Sequence, residues 1–178
     1  MKPQLANREL INQLYKRPIK ESKFPSYRNG IMVPNFLHQV DVLYLPTDPS
    51  GFKYLLTIID VHNSLVGAYP MKFMKTESII RALNHIYENS RYLRYPKILQ
   101  GDNQFKIKEI KEWAKEKKVQ MKFTLPNRHR QNAHVERFNQ EIGLDLFKLM
   151  LDKEITTGRT SKEWVKFMME LLIITTIK

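Results

Sequence analysis

Glu136 lies in the stretch HRQNAHVERFNQEI, residues 129–142, whose residue types suit chemistry on phosphate groups. Residues four apart share a helix face, so Asn132, Glu136 and Gln140 form one polar line. Val135, Phe138 and Ile142 turn the other way, towards a core. A carboxylate near a helix start, flanked by Arg128, Arg130 and Arg137, can reach a metal ion while the arginines hold phosphates. A glutamate on a helix is ordinarily a solvated surface residue, so this stretch decides nothing alone. Two further acids change its weight. Asp41 lies within HQVDVLYL and Asp102 within ILQGDNQF, each in or just after a short apolar run that reads as a strand. An acid in a β-rich stretch is unfavourable unless it is paired or bound to a metal.

Three such carboxylates suit phosphodiester cleavage and transfer. That reaction needs an attacking oxygen, a stabilised leaving oxygen and charge neutralisation at phosphorus, and two divalent ions about 3.5–4 Å apart meet all three needs. Carboxylates are hard ligands suited to Mg²⁺ or Mn²⁺.

The elements that must position these acids follow from periodicity. Residues 38–45 read as a first strand, TDPSG at 47–51 as a turn containing Asp48, KYLLTIIDV as a second strand and SLVGAYPMK as a third. The tight links make these three antiparallel. Thr76 is placed as the N-cap of a helix whose Ile79, Ile80, Leu83, Ile86 and Tyr87 form a buried stripe. PKILQGD is a fourth strand ending on Asp102. Residues 105–118 form a charged helix with Ile107, Ile110, Trp113 and Ala114 inward, and VQMKFT is a fifth strand. After the loop LPNRHRQN, the helix bearing Glu136 runs to about Leu151. A last helix has Ser161 as its cap and Trp164, Phe167, Met168, Leu171 and Leu172 as its stripe. Before all this, residues 4–17 predict a short helix with Leu10, Ile11, Leu14 and Tyr15 on one face. A basic segment from Pro18 to Pro34 follows, with Phe24 and Tyr27 as anchors or base-stacking groups.

The chain has 178 residues, 42% of them hydrophobic, which suits one domain with a real core and excludes a disordered chain. Thirty Lys and Arg against eighteen Asp and Glu leave a net charge of +12, which points to a polyanionic partner, nucleic acid first. The absence of cysteine excludes disulfides and thiolate zinc sites. The N-terminus lacks the apolar region of a secretory signal. The run MMELLIITTI is too short to span a bilayer and carries Glu170, so a soluble, intracellular protein is expected.

The pieces QVD at 39–41, LLTIIDVHNSLVGAYPMK at 55–72, KTESI at 75–79, GDNQF at 101–105 and HVERFN at 134–139 run in an order that resembles the retroviral-type integrase catalytic core, of the DDE group of polynucleotidyl transferases. The basic, Lys-Phe-Pro-containing lead-in is most similar to integrases of Polinton/Maverick elements and virophages. The resemblance implies an α/β, ribonuclease H-like fold in the order βββαβαβα, a five-stranded mixed sheet flanked by helices with strands one and four side by side. It implies two Mg²⁺ ions, with Mn²⁺ able to substitute, Asp41 bridging them, Asp102 serving one and Glu136 the other. Water or a DNA 3′-hydroxyl would attack directly. The partners implied are double-stranded DNA, both element ends and target, and further copies of the chain in a dimer or higher multimer, at the host nucleus or a viral replication site or virion. DNA contacts are expected from Arg128, Arg130, Asn132, Arg137, Gln140 and Lys148. The division expected is an N-terminal helix and basic arm at 1–35, a catalytic core at 36–151 and a C-terminal helix at 152–178.

Some positions depart from the pattern. Asn132 and Ala133 stand where Gln and Gly often precede the glutamate, and Gln104 replaces a usual Gly, stiffening the turn after Asp102. The His/Cys zinc domain is absent. A Tyr-Asn pair and a later His are missing near LLIITTIK, which ends on an apolar run and reads as a trimmed or shortened C-terminus. Other acids and histidines are assigned lesser roles: Asp60 ends strand two without binding metal, Glu77 favours a helix start, and His129 and His134 meet DNA or solvent. Two alternatives stay open. One is a ribonuclease H-like nuclease or resolvase; the other is a domesticated core that binds DNA or a protein without chemistry.

Overall fold

In the computed structural model, which describes residues 6–15, 33–124 and 132–176, the apolar runs form five strands. These are β1 (Leu37–Tyr44), β2 (Tyr54–Asp60), β3 (Val66–Met71), β4 (Ile98–Gly101) and β5 (Gln120–Phe123). They stand in one sheet in the order β3-β2-β1-β4-β5. β1, β2 and β3 pair antiparallel, as their short connections require. β4 joins β1 in parallel and β5 joins β4 in parallel, reached through helices α2 (Thr76–Asn89) and α3 (Lys108–Glu116). This is the mixed ribonuclease H-like sheet expected, with β1 and β4 adjacent. Asp48 serves the β1–β2 turn: its Oδ1 accepts from the Ser50 amide (2.7 Å) and its carbonyl from the Gly51 amide (2.7 Å).

Both faces of the sheet are covered, which is why Leu55 to Asp60 are all buried. Val40, Val42, Leu56, Ile58 and Leu99 point to one side, packing with Ile79, Leu83, Ile86, Ile110 and Trp113 of α2 and α3. On the other side, Leu45 and Leu55 pack with Ile142, Leu146 and Met150 of α4 (Ala133–Thr157) and Trp164 and Met168 of α5 (Trp164–Thr176). Each such aliphatic side chain contributes about 1.5–3 kcal/mol on burial, so these two layers hold the fold.

Several boundaries differ from the sequence expectation. α4 continues past Leu151 to Thr157 and stops at Gly158, whose φ of +67° is the left-handed conformation glycine adopts at low cost. Helix α1 (Arg8–Leu14) buries Ile11 alone of its expected face; Leu10 and Leu14 are 48% and 63% exposed. It is held end-on, with Asp152 of α4 accepting from the amides of Ala6 (3.1 Å) and Asn7 (2.8 Å) and from Asn7 Nδ2 (3.1 Å). Thr76 is the first helical residue of α2; Lys75 is its N-cap, with no side-chain cap bond. The charged helix starts at Lys108, because Asn103–Phe105 form a separate 3-10 turn. Ser161 does not cap α5: its amide donates to Glu154 Oε1 (2.8 Å), and Trp164 Nε1 anchors the helix start on the Pro46 carbonyl (2.7 Å). Phe24, Tyr27 and nearly all of the lead-in lie outside the described residues, as does the Leu172 side chain.

The sheet tolerates no side chain at Gly101. A Cβ there would meet Phe105 Cδ2 at 2.8 Å and Val40 Cγ1 at 3.0 Å, both on fully buried residues. Gly101→Ala is expected to destabilise the chain by about 1–3 kcal/mol, read as a lowered melting temperature in thermal denaturation; an unchanged midpoint would contradict this packing.

Candidate active site

Side chains two apart on a strand share a face, so Gln39 and Asp41 point the same way on β1, as Gln100 and Asp102 do at the end of β4. Gln39 and Gln100 are register partners across the parallel pair. Each acid therefore follows two residues after its glutamine, on the face that α4 covers. Asp102 sits one residue beyond β4 with extended backbone, and its Oδ1 accepts from the Gln104 amide (3.0 Å), capping the 3-10 turn.

The two glutamines fasten the start of α4. Gln39 Oε1 accepts from the amides of His134 (3.1 Å) and Val135 (3.2 Å), two of the N–H groups that a helix start leaves without intrahelical partners. Gln100 Nε2 donates to Asn132 Oδ1 (3.2 Å), the helix N-cap residue. Glu136 follows at once in the first turn, half-buried. Asn139, three residues on and so on the same side, donates from Nδ2 to Asp41 Oδ2 (2.8 Å) and accepts at Oδ1 from Thr57 Oγ1 (2.7 Å).

Strand register and the fastened helix start bring the three acids into one neighbourhood. Burial pushes the Asp41 carboxyl above its ordinary pKa; the Val42 amide and Asn139 pull it back, and the charges of Asp102 and Glu136 raise it further. Burial also raises Asp102, against the bonds from Gln104. Among the described residues no group of three His, Cys, Asp or Glu converges closely enough to hold a metal ion as placed. The donor set nevertheless fits a hard divalent cation: all three groups are carboxylates, and Asp41 carries a like-charge load that a cation would relieve.

The other expected residues fall in different places. Asn132 is buried and committed to Gln100, so it anchors the helix where a DNA contact was expected. Arg137 is exposed and pairs with Glu141 (3.0 Å), Gln140 is exposed, and Lys148 is half-buried. Arg128, Arg130 and His129 lie outside the described residues. Asp60 is buried away from the acids, accepting from the amides of Asn35 (2.8 Å) and His62 (2.9 Å), with His38 Nε2 at 3.8 Å. Burial lowers the pKa of His38 to about 4 despite Asp60, so the imidazole is neutral at pH 7; its Nδ1 meets the Tyr87 hydroxyl at 3.2 Å. Glu77 is exposed in the first turn of α2, and His134 is exposed. Sequence reasoning missed Gln39, Thr57, Gln100 and Asn139. Only Thr57 carried a local signal, a polar side chain within an apolar run.

A carboxyl whose pKa is higher folded than unfolded favours the folded state below the ordinary carboxylate range, and that contribution is lost as pH rises through the folded value. Asp41→Asn is therefore expected to raise the melting temperature at pH 7. The gap should close near pH 3, where both side chains are neutral. A variant less stable than wild type at pH 7 would refute the account in which burial, with the neighbouring charges, penalises the Asp41 carboxylate.

Residues 33–129 match the family described as "Integrase core domain". The Pro-Pol polyprotein of feline foamy virus is 32% identical over 113 residues, 62% of this chain and 9% of the polyprotein. That of simian foamy virus type 1 is 32% identical over 111 residues, 61% of this chain and again 9% of the polyprotein. The chain thus spans under a tenth of the length of these relatives. Among solved structures, the simian T-cell lymphotropic virus intasome in complex with PP2A regulatory subunit B56 gamma aligns with a TM-score of 0.62 at 20% identity, over 76% of this chain and 48% of that one. The HTLV-2 integrase catalytic core domain in complex with magnesium, in dimeric form, aligns with a TM-score of 0.56 at 22% identity, over 70% of this chain and 77% of that one. These likenesses establish the fold.

Proposed function

Because the chain belongs to the integrase core domain family, we propose that it trims element DNA ends hydrolytically and joins the 3′-hydroxyl to target DNA, using Asp41, Asp102 and Glu136 as its catalytic acids. The observation that carries this reading is geometric: Asp41 and Asp102 each follow two residues after the register partners Gln39 and Gln100, and those glutamines fasten the helix start that bears Glu136. Asp41 would be shared between two Mg²⁺ ions, with Asp102 and Glu136 each completing one; Mn²⁺ would substitute. The magnesium named with the HTLV-2 core supports this choice. The ions, when bound, supply charge neutralisation at phosphorus and ease deprotonation of the attacking oxygen. Asn139 holds Asp41 in place and the Gln104 amide holds Asp102. Arg137, Gln140 and Lys148 of α4, with Arg128 and Arg130 before it, would contact the DNA, the cationic side chains adding salt-dependent and mostly sequence-independent affinity.

The core assigned to residues 36–151 would act as a dimer or higher multimer, as the dimeric HTLV-2 core suggests. It would work in the host nucleus or at a viral replication site or virion; among the described residues no helix is long and apolar enough to cross a membrane.

The test is a Mn²⁺-supported disintegration assay on branched DNA, comparing wild type with Glu136→Gln. Groups that only orient a metal ligand contribute about 10–100-fold, so removing a ligand should cost more than about 100-fold. Equal rates in the two proteins would remove Glu136 from the site. Cleavage of RNA–DNA hybrid with no strand transfer would reassign the chain as a nuclease. No activity together with no Mn²⁺ binding would make it a non-catalytic core.

A further inference from the structure

Thr57 is the one polar residue between Leu55 and Ile59, in a strand buried on both faces, and it is itself fully buried. A hydroxyl in such a place is costly unless it is hydrogen-bonded. Its β-branched shape suits the strand, but valine would suit it equally well and carry no such cost. The hydroxyl must therefore be explained by its partners. It lies directly across the sheet from Asp41, in register. Its Oγ1 is 2.7 Å from Asn139 Oδ1 and 3.3 Å from the Asp41 carbonyl oxygen. Both contacts lead to Asp41, one through the backbone and one through the amide that grips its carboxylate at 2.8 Å.

An asparagine amide is nearly symmetric in shape, so its partners decide which end faces which way. Asn139 is itself buried, and rotation about its last side-chain bond would bring its oxygen against the Asp41 carboxylate. A hydroxyl has a single hydrogen to give, and the shorter contact draws it to Asn139 Oδ1. That donation holds the oxygen end on β2 and leaves Nδ2 to donate to Asp41 Oδ2. The chain of contacts spans three elements, from β2 through α4 to β1, and it ends on the acid that also feels Asp102 and Glu136.

We propose that Thr57 is a positioning residue of the active site: its hydroxyl locks the Asn139 amide, and the locked amide fixes the Asp41 carboxylate. Asp41's part in catalysis rests on the function proposed above, while the lock itself does not. Thr57 touches no substrate. It acts through Asn139, and it does so from a strand with none of the three acids on it.

Two substitutions separate a positioning role from a merely structural one in the full chain. Thr57→Val keeps the shape and loses the hydroxyl; Thr57→Ser keeps the hydroxyl and loses a buried methyl. The side-chain amide signals of Asn139 are followed by ¹⁵N NMR, Mn²⁺ affinity by calorimetry, and strand-transfer kcat and KM by the branched-DNA assay. Thr57→Val is expected to shift and broaden the Asn139 signals, weaken Mn²⁺ binding about tenfold and lower kcat about tenfold with KM for DNA unchanged. Thr57→Ser is expected to match wild type in all of these despite a lower melting temperature. If Mn²⁺ affinity and kcat instead follow melting temperature across the variants, Thr57 is structural and the proposal fails. Unchanged Asn139 signals in Thr57→Val also overturn it. Should wild type bind no Mn²⁺ and do no chemistry, the catalytic reading falls, and the NMR signals alone decide whether the lock exists.

Discussion

The site depends on fastening a helix start to the end of a buried sheet. α4 brings Glu136 to a pair of strands that precede it in the chain by many residues, and apolar packing alone would leave its axial register loose. The two glutamines remove that freedom. Gln39 takes two N–H groups at the helix start, and Gln100 takes the N-cap side chain. Since they are register partners on adjacent parallel strands, they form one platform across the sheet. Each lies two residues before an acid, so platform and acids share a face by the period of the strand. Moving either strand by one residue would turn both glutamine and acid to the opposite side.

Two acids on neighbouring strands of the sheet differ energetically. Asp41 is half-buried and held by the Val42 amide and by Asn139, yet burial and, less strongly, two like charges raise its pKa. Asp60, on the neighbouring strand, is fully buried yet accepts from two backbone amides and faces a histidine. Asp60 has its partners supplied by the backbone, whereas at Asp41 burial outweighs the partners that are present. Clusters of perturbed carboxylates occur in ion-pair networks as well as in active sites. Among the described residues no Lys or Arg is paired with Asp41, Asp102 or Glu136.

The fold was legible because each element declared its period plainly. The unbroken apolar run of β2, the stripe of α2 and the short links of the first three strands left few arrangements open. Asp41 and Asp102 stood out as charges in or just after apolar runs. What escaped was everything that reads as ordinary in one dimension. Gln39, Gln100 and Asn139 are uncharged polar residues whose partners lie tens of positions away, and no local pattern marks a cap supplied by a distant strand. Asn132 escaped for the same reason: beside two arginines it reads as a surface residue, and its side chain turns inward to Gln100. Helix ends were also hard to place. α4 outran its apolar stripe because its last turns are fastened by polar contacts, Asp152 to the start of α1 and Glu154 to the Ser161 amide.

Those last turns bear on the site as well. A single 25-residue helix carries Glu136 in its first turn and the anchors for α1 and α5 near its end. Trp164 pins α5 to the chain just after β1, on the Pro46 carbonyl. Any tilt of α4 must therefore disturb the glutamine platform at one end and the α5 packing at the other. The position of Glu136 is thus set from both ends of the helix, although its own side chain makes none of those contacts. The C-terminal helix, remote from the acids in sequence, belongs to the support of the site.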